Sequence, residues 1–290
     1  MPGSDPRPAS TVILVRDALS GGLEVLMVER SERSSFMGGA YVFPGGGVDE
    51  ADSDPRLGAR CTGLSDEEAS RRLSLAEGGL AYWVSAVREL FEESGILLAT
   101  DAGGSPIALT GETTERFAAH RDALNARRWS FAEMVAAEGL VLDLSEIFYV
   151  AHWVTPVVSP TRFDTRFFVA VAPDDQEAIH DAGETVAVEW VTPPDALRRH
   201  RDGEIDMVMP TIRTLRFVQG FATAEVLLAH VASMAEVPRI EPRMARTAEG
   251  PRLLVPGDEG YDTALDEAVD GSAFTGAARR RALEENWPSG

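Results

Sequence analysis

Residues 81–96, AYWVSAVRELFEESGI, constrain this chain more than any other stretch. Val84, Val87 and Phe91 recur at helical spacing and, with Leu90, form one apolar stripe. Glu89, Glu92 and Glu93 stand at i, i+3 and i+4 and therefore share a different face. Gly95 supplies the left-handed residue that commonly closes a helix. Carboxylates this close repel one another, by a few tenths of a kcal/mol (~0.2–0.5) per pair in a bare helix. A solvated charged face is the plain explanation of such a cluster; a hard divalent cation is the other. Upstream, Phe43-Pro44-Gly45-Gly46-Gly47-Val48-Asp49 reads as a tight turn whose glycines let backbone approach a ligand closely. The two stretches together point to a metal-dependent site for phosphate chemistry.

Arg88-Glu89-Leu90-Phe91-Glu92-Glu93-Ser94-Gly95-Ile96 matches REUxEExGU, the second half of the Nudix box, at every defined position. The glycine run resembles the first half, GxxxxxE, with Asp52 where the box has its first glutamate. Thirty-six positions separate Asp52 from Arg88, where an uninterrupted box has eight, so some 28 residues are inserted. An interrupted box of this kind resembles the long branch of Nudix hydrolases that includes the peroxisomal coenzyme A diphosphatases. The later pattern Trp153…Thr155-Pro156…Arg162-Phe163-Asp164-Thr165-Arg166-Phe167-Phe168 is similar to the same branch.

Composition narrows the partners. The 290 residues are 44% apolar and 26% charged, an ordinary globular balance, and suffice for one large domain or a domain with an extension. A net charge of −20 excludes a nucleic-acid polymer as a natural partner, because no basic field is present to release counterions. A small anion remains compatible, since a bound cation inverts the local field. All 27 basic residues are arginine, so the positive group that touches phosphate is an arginine or a helix N-terminus. No apolar run reaches the ~18 residues needed to span a membrane, and MPGSDPRPAS has no secretory character. The single cysteine, Cys61, has no internal disulfide partner, which suits a reducing cytoplasm.

Along the chain, Thr11–Val15 and Leu23–Val28 read as a hairpin around Ser20-Gly21-Gly22, with Arg30 at its end as either a phosphate contact or a surface arginine. The insertion, about 53–80, contains one expected helix, Asp66–Leu75, with Ser65 and Glu68 in a capping-box pattern. Helices are expected at Thr113–Arg128 and Phe131–Glu138, the second with a Ser130–Glu133 box. A substrate lid, a homodimer contact and packing filler are the roles open to them. Phe148–Val154 and Phe167–Val171 read as core strands joined by a proline-fixed connection, 155–166. On it, Arg162 and Arg166 either bind phosphate or pair with Asp164. A strand at Glu184–Val191, a proline-started helix at Pro193 and helices near Thr211–Val218 and Thr223–Ala232 follow. From Pro238 the chain reads as extended, ending in a tail with Arg279-Arg280-Arg281. The histidines, His120, His152, His180, His200 and His230, form no zinc-type pair.

The resemblance implies an α/β fold: a Nudix-type α/β/α sandwich with a mixed sheet, an insertion inside the box and extra helices. The Nudix domain is placed at 8–235 and a C-terminal extension at 236–290. It also implies hydrolysis of a diphosphate linkage in a nucleoside diphosphate derivative with Mg²⁺ or Mn²⁺, by water attack on phosphorus. Glu89, Glu92 and Glu93 match the catalytic and metal-binding positions, with the Gly46 carbonyl completing the shell. Arg88, Asp52 and Glu184 support them, Arg88 by orienting Glu92 or another acid. Arg30, Arg162 and Arg166 are the substrate-binding candidates. Coenzyme A or acyl-coenzyme A is the expected substrate, with a nucleotide sugar or ADP-ribose as one alternative and a non-catalytic nucleotide sensor as another.

Overall fold

The computed structural model describes residues 5–31, 38–159, 161–180, 185–247 and 250–264. Glu184 and Arg279–Arg281 lie outside them. The hairpin forms as expected: β1 (Arg7–Asp17) and β2 (Leu23–Arg30) pair antiparallel, Val15 opposite Val25, around a glycine turn. β1 begins at Arg7 rather than Thr11 because its first residues find distant partners. β3 (Ala40–Val42) pairs with β2, and β4 (Gly45–Gly47) lies antiparallel on Ala9–Thr11 of β1. Only glycine permits that approach at Gly45, where a Cβ would stand 2.3 Å from the Ser10 carbonyl oxygen.

The insertion loops out and returns, as the intact box requires. A short 3₁₀ turn (Glu50–Ser53) leads to α1 (Pro55–Gly58), β5 (Cys61–Thr62) and α2 (Asp66–Leu73). Ser65 accepts the Glu68 N–H, but Glu68 turns its own carboxylate to Arg71 and Arg72, so the expected capping box is only half made. The glutamate helix, α3 (Leu80–Ser94), ends where Gly95 takes φ +76°. Then come α4 (Glu112–Asn125) and α5 (Phe131–Ala137), whose Ser130–Glu133 box is complete. β6 (Leu142–Asp143) pairs with β5.

β7 (Phe148–Val154) and β8 (Phe163–Val171) correct the sequence reading. Phe163–Arg166 belongs to the strand, not the connection, because Arg7–Ser10 of β1 pair in parallel with Phe163–Arg166. β9 (Thr185–Val191) adds to β2, followed by α6 (Pro193–Arg201), β10 (Asp206–Met207), α7 (Met209–Val218) and α8 (Ala224–Ala232). β11 (Arg239–Ile240) extends the sheet beside β7, and β12 (Arg243–Thr247) and β13 (Gly250–Leu254) form a separate hairpin.

The result is a mixed sheet in the order β10-β3-β2-β1-β8-β7-β11, with β4 on β1 and β9 on β2. Strand alternation divides the core. Val12, Leu14, Phe168 and Ala170 face α3 with Trp83, Val87, Leu90 and Phe91. Ile13, Val15, Phe167 and Val169 face α6–α8 with Leu215 and Leu227. This is the α/β/α sandwich expected. Two polar bonds set α3 on its face: Ser10 Oγ donates to the Tyr82 carbonyl at 2.8 Å and Trp83 Nε1 to the Ile147 carbonyl at 2.9 Å.

Candidate active site

The apolar stripe of α3 turns Glu89, Glu92 and Glu93 toward the glycine strand. The Gly45 N–H donates to Glu93 Oε2 at 2.9 Å. A Cβ at Gly46 would lie 2.5 Å from the Glu89 carboxyl carbon, so any larger residue would push that carboxylate out of its place. The Gly47 carbonyl accepts from Ser85 Oγ at 3.1 Å and from Arg88 Nη2 at 2.9 Å. The two halves of the box therefore meet, although some 28 residues are inserted between them.

Arg88 is the hub, 7% exposed. Its Nε and Nη2 grip Asp52 at 2.7 and 2.9 Å in a two-point pair. Its Nη1 donates to Glu89 Oε1 at 2.8 Å and Glu92 Oε2 at 3.0 Å. Asp52, itself 3% exposed, also accepts the Asp49 N–H. Its role is thus to hold the arginine that holds the acids. Burial works against the Arg88 charge, but the bond to Asp52 and the charges of Glu89, Asp52 and Glu92 outweigh it and keep the group above its ordinary range.

One arginine does not neutralise the acid face. Burial, opposed by Arg88 and reinforced by Glu92, lifts the Glu89 carboxyl to about 7. Burial also raises Glu92, against the pull of Arg88. Among the described residues no three acidic, histidine or cysteine side chains are placed to hold one metal ion together. Glu89 and Glu92 lean on Arg88, and Glu93 reaches the β4 backbone. In kind the donor set fits a hard divalent cation: carboxylate oxygens beside a glycine strand, carrying charge that burial makes unfavourable.

Arg162 and Arg166 already hold partners. Arg162 bonds to the Thr155 carbonyl at 3.0 Å and to the Glu241 carboxylate. Arg166 contacts Asp164 and His152 and lies 5.5 Å from the Tyr82 ring. Asp164 therefore pairs with Arg166, whereas Glu241 takes Arg162. The register nevertheless puts Arg166, Ser10 and Gly46 side by side on β8, β1 and β4. Arg30 sits opposite Thr185, next in sequence to Glu184, and its Nε is buried without a hydrogen-bond partner among the described residues. Burial pushes the Cys61 thiol up to about 11, which removes it as a nucleophile at neutral pH.

The family model described as the NUDT19 Nudix domain matches residues 55–217. The chain belongs to that family. The acyl-coenzyme A diphosphatase NUDT19 of Xenopus laevis is 27% identical over 270 residues, 82% of this chain and 71% of that one. The human protein of the same name is 27% identical over 287 residues, 88% of this chain and 76% of that one. In structure, the Nudix hydrolase from Alicyclobacillus acidocaldarius is 29% identical with a TM-score of 0.64, over 81% of this chain and 99% of that one. The family match begins after the glycine strand, so contact geometry independently joins that strand to the glutamates.

The sequence reading places the ends of α3 at Gly79 and Gly95 but missed the side chains that hold them. At the amino end, Asp66 of α2 accepts the N–H groups of Gly78 and Leu80, and Ser70 accepts that of Gly79. At the carboxyl end, Arg121 and Asn125 of α4 donate to the Glu92 carbonyl. The one available signal is Phe117-Arg121-Leu124, an arginine set into an otherwise apolar helical stripe and buried with it.

Proposed function

We propose that this Nudix domain hydrolyses the diphosphate of coenzyme A or an acyl-coenzyme A, with Mg²⁺ or Mn²⁺, releasing 3′,5′-ADP and (acyl-)phosphopantetheine. The observation that carries the reading is the closure of the glycine strand on the acid face, Gly45 on Glu93 and Gly46 on Glu89, in a chain whose relatives are named acyl-coenzyme A diphosphatases. Glu89, Glu92 and Glu93 bind the cation, with the Gly46 carbonyl as a further donor and Glu184 as an additional acid. Bound there, a divalent cation neutralises the diphosphate oxygens and lowers the pKa of the attacking water. Arg88 orients Glu89 and Glu92, Asp52 fixes Arg88, and the Gly45 N–H fixes Glu93. The cytoplasm is the setting proposed, in keeping with the lone, half-buried cysteine.

Coenzyme A carries a 3′-phosphate that simple nucleotide sugars lack, and with no lysine in the chain an arginine must meet it. Arg30, Arg162 and Arg166 are the candidates. A charge-assisted guanidinium–phosphate pair is worth about 1.5–3 kcal/mol. Replacing the arginine responsible by alanine lowers kcat/KM for coenzyme A roughly 10- to 150-fold and barely affects dephospho-coenzyme A. The deciding experiment is a product-identifying screen of coenzyme A, acyl-coenzyme A, dephospho-coenzyme A, ADP-ribose and nucleotide sugars with each cation. Release of 3′,5′-ADP is expected. Wild-type indifference to the 3′-phosphate transfers the reading to ADP-ribose or a nucleotide sugar.

A further inference from the structure

Helix α3 ends in a left-handed glycine cap, the Gly95 N–H donating to the Phe91 carbonyl at 2.9 Å, and the cap leaves the Glu92 carbonyl without a donor from its own helix. Only a continued helix would bring the Ile96 N–H, four residues on, to that carbonyl; past the cap it goes to Ser94 Oγ at 3.3 Å. Arg121 Nε takes its place, donating to the Glu92 carbonyl at 2.8 Å, and Asn125 Nδ2 adds a second donor at 3.3 Å. Arg121 Nη1 also donates to the Ile179 carbonyl at 2.7 Å, while the Ile179 N–H donates to the Ser94 carbonyl at 2.8 Å. One buried guanidinium, 7% exposed, thus ties α4 to the last turn of α3 and to the segment leading toward Glu184. Phe117 of α4 seals the contact edge-on against Phe91 of α3, 6.2 Å between ring centres. Gly95, at φ +76°, turns the chain away beside this contact. A cation at a helix carboxyl end is also favoured by the helix dipole.

We propose that Arg121 is a positioning residue for the metal-binding face: by holding the Glu92 carbonyl it fixes the turn from which the Glu92 and Glu93 carboxylates project. α4 is then part of the catalytic apparatus rather than a lid or filler. The proposal rests on the divalent-cation reading of those glutamates. Its mechanism is geometric: without the guanidinium the Glu92 carbonyl loses its strongest donor, the last turn of α3 frays, and the acids must be reordered when a cation binds. Loss of such a supporting hydrogen bond typically weakens a metal site about 10- to 100-fold.

The test is Mn²⁺ binding to the full chain without substrate, followed by the electron paramagnetic resonance of free Mn²⁺, alongside kcat, KM and thermal midpoint. Arg121→Met keeps the volume and removes the donors. It should raise the Mn²⁺ dissociation constant about 10- to 100-fold and lower kcat at subsaturating metal, with KM at saturating metal nearly unchanged. Arg121→Lys, which keeps the charge and can reach one carbonyl, should fall between, and Asn125→Ala should lose only about two- to threefold. Arg116→Met, an exposed arginine of the same helix paired with Glu138, is the control that should bind as wild type. If Arg121→Met does not fold, Arg121→Lys decides. A folded Arg121 variant with wild-type Mn²⁺ affinity overturns the proposal, even with a lowered thermal midpoint, because that pattern means a structural role alone. A wild type that retains no Mn²⁺ overturns the metal reading itself, and this inference with it.

Discussion

The inner face of α3 buries Trp83, Val87, Leu90 and Phe91 against the sheet, whereas the face bearing Glu89, Glu92 and Glu93 meets a glycine strand and one arginine. The inner face is dry, close-packed and stabilising. The acid face gathers carboxylates whose burial favours their neutral forms, and Arg88 with Asp52 only partly relieves it. A single helix therefore separates stability from chemistry by side. Substitutions on one face should unfold the protein without altering its chemistry; substitutions on the other should abolish chemistry and leave the fold.

The largest contrast is expected at Glu93. Exchange of carboxylate for amide at constant shape in Glu93→Gln should lower kcat by about 10²- to 10⁴-fold while the thermal midpoint stays near wild type. Near wild-type turnover in this variant would remove the acid face from the reaction. The opposite pattern is expected at Trp83, fully buried against Phe168 with ring centres 4.6 Å apart. Trp83→Ala should cost about 3–5 kcal/mol by denaturant titration, with kcat per folded molecule preserved.

Asp52 tests the boundary between the faces. It is buried and grips Arg88, so Asp52→Ala should cost up to about 3 kcal/mol, because a buried charge loses its main partner. Glu89 and Glu92 remain to hold Arg88 in part. Activity should fall together with stability here, unlike at Glu93 or Trp83. A loss of activity with unchanged stability would mean that Asp52 acts on substrate or metal directly.

The smallest effect is a pH dependence. The folded Glu89 carboxyl titrates near 7, above its ordinary value of 4.5, so the folded state binds this proton more tightly than the unfolded state. Its contribution to metal-free stability is fully present below about pH 4.5, declines as pH rises toward 7, and is lost above that. Glu89→Gln should remove this decline and raise metal-free stability at pH 8 by about 1 kcal/mol or more, one pKa unit being worth about 1.4 kcal/mol. Melts in a chelator between pH 5 and 8 check it, and parallel curves for the two proteins would contradict it.

How much the sequence revealed followed the range of the interactions. α3 was legible almost to the residue because its stripe and its closing Gly95 are local. The glycine run was legible as a close approach, though not what it approached. Phe163–Arg166 read as a connection because its strand partners, Arg7–Ser10, lie at the other end of the domain. The grip of Asp52 on Arg88 was hidden by the insertion, and Arg121 by its distance from Glu92. The Ser65 box failed at short range, since Glu68 has two arginines within a turn that compete for its carboxylate.

The central claim is that the glycine strand and the acid face of α3 make one divalent-cation site, and the most direct test is a crystal of this protein soaked in Mn²⁺ and measured at the manganese edge. The account predicts anomalous density beside Gly46, about 2.1 Å from oxygens of at least two of Glu89, Glu92 and Glu93. Manganese bound elsewhere, or none at these glutamates at saturating concentration, would contradict it.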